Sequence, residues 1–228
     1  MHYQSTPVAA SHANTRDSFI RKTYFHVFLA ILMFTGIEAF LFKTGIADQI
    51  MAFMTGMNWL IILGAFMVSS WIATRFAQGS RSKASQYFGL SLYVFFEAII
   101  FVPLLYIAEY KTGGGAIESA ATATLLGFAG LTAIAFATRA DFSWLGKFLM
   151  FAGVGALILI VCSVLFGLSL GVYFTVGMIL FAGAAILYDT SNIIHHYSED
   201  DYVAAALQLF ASVALLFWYV LRFFNSRD

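Results

Sequence analysis

The sequence is poor in charge, in cysteine and in proline. Asp, Glu, Lys and Arg supply 11% of its 228 residues against 61% hydrophobic ones, and the mean hydropathy is +0.84. A water-soluble domain carries roughly 25% charged and 45–50% apolar residues, so an ordinary soluble fold is excluded. The formal net charge is zero and no basic stripe is present, which argues against nucleic acid as a partner. A single cysteine, Cys162, excludes an intramolecular disulfide and any CxxC redox or metal site. The only prolines are Pro7 and Pro103, and strand-like alternation is missing; a transmembrane barrel needs short alternating segments. The residues up to Thr23 are polar and show no signal-peptide pattern, so the membrane spans themselves are expected to direct insertion. No phosphate-binding glycine loop or dinucleotide fingerprint occurs. Neither a cofactor nor an enzymatic activity is expected.

The apolar residues fall in blocks of about 20, the length that carries a helix across a bilayer core. The blocks predict an all-α integral membrane protein with seven spans, over 24–42, 57–77, 86–108, 117–138, 144–168, 172–194 and 203–224. Residues 1–23 form a polar N-terminal tail, and 24–228 a membrane domain whose chief partner is the lipid bilayer. The segment from Asp48 to Met57 either extends the second span or lies on the surface. Connections are short, so successive helices should be antiparallel neighbours. Arg16, Arg21, Lys22, Arg75, Arg81, Lys83, Arg139 and Lys147 fall on one side, with Lys43, Lys111, Arg222 and Arg227 on the other. Basic residues concentrate on the cytoplasmic side, which predicts a cytoplasmic N-terminus. Gly153, Gly155, Gly177 and Gly183 lie inside spans and read as helix-packing positions. Pro103 is expected to kink the third span.

Carboxylates inside a span cost about 2.5–3.5 kcal/mol each on insertion scales, so the three present carry information. Glu38 lies near the end of its span and reads as a headgroup-level residue. Glu97 lies mid-span and reads as facing the bundle interior. Asp189 follows FAGAAILY and precedes TSNIIHHY. Asn192 at i+3 and His196 at i+7 fall on its helical face. Asp, amide and imidazole together suit a proton-responsive cluster, since His titrates near neutrality; a merely wet helix end accounts for the same spacing. The run Gly167 to Gly171 fits GxSxG, but that motif needs a strand-to-helix elbow, and here it joins two spans. His195 and His196 beside Glu199, Asp200 and Asp201 lack the HExxH order of a metal site and read as a solvated loop.

Three stretches resemble the Bax-inhibitor (TMBIM) membrane family: RKTYFHVFLAI, FATRADFSWLGKFLM, and ILYDTSNIIHHYSEDDYVAAALQLFASVALLF. The TSNII stretch after the acidic residue looks most like the bacterial YccA-type branch. The resemblance covers residues 19–228 and implies a seven-helix fold with the last helix central, in a bacterial inner membrane. It implies two functions. One is a pH-responsive calcium leak gated by two aspartates that share a proton, one on each of the last two spans. Asp189 matches the first, while LQLFAS puts Ser212 at the second, so the aspartate pair is incomplete. Arg75 is the nearest match to an arginine at the end of the second span. Asp189, Ser212, Asn192, His196, Glu97 and Arg75 are therefore the expected pH-sensing and ion-pathway residues, with Ca2+ or H+ as the ion. The other function, which the missing aspartate favours, is binding and moderating the membrane protease FtsH.

Overall fold

A computed structural model describes residues 13–79 and 82–226. These residues form eight α-helices: α1 (Ala13–Lys43), α2 (Ile46–Thr55), α3 (Trp59–Gly79), α4 (Lys83–Thr112), α5 (Gly115–Thr138), α6 (Leu145–Phe166), α7 (Val172–His195) and α8 (Tyr202–Asn225). All but α2 are long and apolar enough to cross a bilayer, which gives seven candidate spans. A helix satisfies its own backbone groups inside lipid, so these blocks fold as helices whatever their packing.

The expected span boundaries lie close to the observed helices. The largest departure is α1, which begins at Ala13 and so runs through much of the sequence read as tail. Residues 1–12 of that tail, Arg81 and Arg227 lie outside the described residues. The segment from Asp48 onward is a separate short helix. Gly45, in the left-handed conformation at φ 74°, turns the chain out of α1 and into α2, a backbone state that glycine adopts without strain. Ala47 of α2 is buried with Leu41 and Val102, so α2 folds back over the ends of α1 and α4. The helix α4 continues through Pro103 to Thr112.

The last helix is the axis of the bundle. It packs on α1, α3, α4, α5 and α7, and most of its residues are buried. Around it lies an aromatic cluster: Phe101 stacks on Phe217 at 5.6 Å and meets Trp218 edge-on at 4.9 Å. By contrast α6 buries only Leu145 and presents Phe148, Phe151 and Ile158 outward, as a helix at a lipid boundary does. Between membrane helices, packing rather than water exclusion drives association, so close backbone approach matters. Gly89 supplies it: a Cβ there would lie 2.5 Å from the Ala77 nitrogen and 2.6 Å from the Ala73 carbonyl oxygen. Of the four glycines expected to pack helices, a Cβ at Gly153 or Gly183 would meet Phe181 or Leu131, whereas one at Gly155 or Gly177 would have nothing within 4 Å among the described residues.

We call the end where α1 begins proximal. Lys22 of α1 and Lys83 sit over the Tyr202 ring at 5.3 and 4.2 Å, and Lys83 donates to the Asp200 carbonyl, which places the starts of α4 and α8 there too. At the distal end Arg222 donates to the Leu170 carbonyl at 3.3 Å.

Candidate functional site

Asp189 and Ser212 face each other across the α7–α8 contact. Ser212 Oγ donates to Asp189 Oδ2 at 2.5 Å; Asp189 is 2% exposed and Ser212 7%. Apolar neighbours on both helices exclude lipid and water, because Ile186 and Ile193 flank Asp189 on α7 and Leu209 and Val213 flank Ser212 on α8, all buried. A hydroxyl can serve a carboxylate as donor without adding charge, and both members of the pair are buried.

The two residues after Asp189 extend the attachment. Tyr24 Oη on α1 donates to Thr190 Oγ1 at 3.4 Å. Ser191 Oγ accepts from the Phe142 amide at 2.9 Å and donates to the Ala140 carbonyl at 3.4 Å. Successive helical residues point about 100° apart, so Asp189, Thr190 and Ser191 tie α7 to α8, to α1 and to the α5–α6 connection in turn. All three are buried. Thr190 and Ser191 escaped the sequence reading; the available signal was an unbroken polar run from Asp189 to Asn192 in an apolar helix.

Two expected members do not join Asp189. The helix ends at His195, and His196 takes the cap position at φ −118°. Its ring turns outward, with Nε2 3.4 Å from Asp141 Oδ1 and both side chains about half exposed. Asn192 is half-buried, and its backbone carbonyl accepts from the amides of both His196 and Tyr197. Among the described residues, no hydrogen bond joins Asn192 or His196 to Asp189. Arg75 is also elsewhere: it is exposed, with its guanidinium 5.1 Å over the Trp71 ring. Glu97 does face the interior, 6% exposed. The Tyr93 hydroxyl one turn back hydrogen-bonds its carboxyl, while Oε2 has no partner among the described residues. It borders a cavity of about 490 Å³ between α3, α4, α6, α7 and α8, which Arg222 lines on the distal side. The headgroup reading of Glu38 is overturned, since its side chain turns inward toward α4, α5 and α8 and is only 7% exposed.

Electrostatics at the proximal loops are milder. Amide and hydroxyl donation from Ser143, with His196 beyond it, holds the exposed Asp141 carboxyl below its usual range. Burial raises Asp201 above its usual range against the pull of Lys83, and Asp200 adds to the rise. Among the described residues no three His, Cys, Asp or Glu side chains gather into a metal-binding group.

The family model described as inhibitor of apoptosis-promoting Bax1 matches residues 16–228. The chain belongs to the Bax-inhibitor family. Bax inhibitor 1 of Schizosaccharomyces pombe is 29% identical over 223 residues, covering 96% of this chain and 80% of the yeast protein. The modulator of FtsH protease YccA of Escherichia coli is 36% identical over 118 residues, 50% of this chain and 53% of YccA. Protein LIFEGUARD 4 of Arabidopsis thaliana is 32% identical over 123 residues, 51% of this chain and 49% of the plant protein. The chain thus spans about half the length of the bacterial and plant relatives it matches. Within this Bax-inhibitor bundle the central position of α8, implied by the family resemblance, is observed directly.

Proposed function

We propose that this protein is a multi-pass regulator in a bacterial inner membrane that binds an FtsH-type protease and moderates its degradation of membrane proteins. The observation that carries the proposal is the Ser212–Asp189 hydrogen bond. A proton shared between two carboxylates makes a gate because two like charges cannot both be held close. A hydroxyl against one carboxylate has no such conflict, so it clamps α7 to α8. A clamped bundle offers a constant outer surface, which suits a binding protein. Similarity to YccA over half the chain supports the same reading, as does a polar N-terminal segment expected on the cytoplasmic side. The test is co-purification of the tagged full chain with FtsH in mild detergent. Stoichiometric enrichment of the protease is expected, and recovery no better than for an unrelated seven-span protein would refute the proposal.

A second reading, a pH-responsive calcium leak, draws on Glu97. Its unpartnered Oε2 lies at the cavity of about 490 Å³, and an intramembrane carboxylate beside a cavity is a common ion-pathway element. Arg222 on the same cavity opposes cation entry, which is why this reading stands second. Calcium uptake into proteoliposomes across pH 6 to 8 separates the two. Regulation predicts no pH-dependent flux in the wild type, and acquired flux in Ser212→Asp, which completes the carboxylate pair. Wild-type flux abolished by Asp189→Asn would make the leak the function.

A further inference from the structure

A second cavity, of about 240 Å³, is bounded by α1, α4, α5 and α8. Its walls are almost wholly apolar: Phe34 from α1, Ile117 from α5, and Phe210 and Phe217 from α8. Three polar side-chain atoms without a partner break that pattern. Both carboxyl oxygens of Glu38 and the Thr124 hydroxyl border the cavity, are buried, and have no hydrogen-bond partner among the described residues. Glu38 is 7% exposed and Thr124 is 3% exposed. A buried carboxylate without a partner is among the most unfavourable arrangements a fold can hold, and native structures rarely gather three orphan acceptors around one space.

The cavity also has an entrance. The helices α1 and α5 both pack on α8 but scarcely on each other. Leu125 and Thr35, which line the cavity, are exposed at its edge. On a helix of the membrane domain that edge faces the hydrocarbon, so a ligand arrives through the bilayer.

We infer that this cavity binds a membrane-partitioned alkyl amine, its ammonium held by Glu38 and Thr124 and its chain among the aromatic side chains. An ammonium brings three N–H donors, the number of orphan acceptors present. Its charge neutralises the carboxylate, and the walls accept the alkyl body. At about 30 Å³ per water-sized group, the space holds on the order of eight non-hydrogen atoms. An amine-bearing phospholipid headgroup is a poorer match, because its phosphate would need a cation and the cavity wall contains neither Lys nor Arg.

The full chain in phosphatidylcholine nanodiscs, which contain no primary amine, provides the test. A diazirine-bearing octylamine is photolysed and the labelled peptides are mapped, with octylamine, octanol or octanoate as competitor. Labelling is expected on the α1, α5 and α8 segments that border the cavity. Octylamine should compete at least tenfold better than octanol or octanoate. Glu38→Gln should lower labelling at least tenfold while preserving a cooperative melt. Leu125→Trp, which fills the entrance and touches no buried polar group, should lower it similarly and carries the test if Glu38→Gln fails to fold. Equal labelling of both variants and the wild type, equal competition by octanol or octanoate, or label spread over the outer face of α6 would each overturn the inference.

Discussion

Removing the Ser212 hydroxyl should destabilise the bundle, and removing its carboxylate partner as well should restore it. Ser212→Ala deletes one small group, so the void is slight and the effect is electrostatic. Interhelical hydrogen bonds in membranes average about 0.6 kcal/mol and reach about 1.7 kcal/mol. A 2.5 Å contact to a carboxylate belongs at the upper end, because charged acceptors strengthen the bond. The Asp189 carboxyl would then be left buried and unpaired, which costs a further ~1–3 kcal/mol. The sum is roughly 3 kcal/mol, or about 6–12 °C in melting temperature for a chain of this size. Asp189→Leu with Ser212→Ala replaces both partners by apolar groups, an exchange that is often nearly neutral. The double variant should therefore melt above Ser212→Ala alone, a coupling of at least about 1.5 kcal/mol. Circular dichroism melts of all four proteins in one detergent measure this. If Ser212→Ala melts with the wild type, or if the two substitutions simply add, the clamp does not exist.

Other expectations follow from single contacts. Ser191→Ala leaves the Phe142 amide unpartnered, and hydrogen exchange there should quicken about tenfold with α7 unaffected. Gly89→Ala forces a Cβ into the Ala77 and Ala73 backbone and should abolish or strongly weaken the folded yield, whereas Gly155→Ala, with open space around it, should leave melting unchanged or slightly raised. Burial raises the Asp201 carboxyl in the folded protein, so its stability contribution is present below the unfolded carboxylate range and is lost as pH rises through the folded value. Asp201→Asn should accordingly match the wild type near pH 4 and exceed it at pH 7.5. The gain should be no more than about 0.5 kcal/mol, because the group is half-exposed and screened.

The spans were legible because each is a continuous apolar block, and lipid permits few other backbone states for such a block. Side-chain neighbourhoods were less so, and each miss has a local cause. Helical periodicity put His196 on the face of Asp189, but periodicity holds only while the helix lasts, and the helix ends at His195. Distance from the span end put Glu38 among the headgroups, but its side chain faces α4, α5 and α8 inside the bundle, and distance along a span says nothing of which way a side chain turns. The Asp189–Ser212 pairing was anticipated through the family pattern rather than through spacing, since 23 residues and a turn separate the two in sequence. The triplet attachment through Thr190 and Ser191 needed the third dimension, because each residue meets a different neighbour.

Restraint of a membrane protease by this Bax-inhibitor protein, as proposed above, is measured most directly by reconstitution. Purified FtsH, a membrane substrate and the full chain can be combined in proteoliposomes with ATP, and the substrate's half-life followed by gel. Degradation is expected to be at least a few-fold slower when the chain is present, with FtsH hydrolysis of a soluble substrate unaffected. An unchanged half-life of the membrane substrate at saturating chain would contradict it.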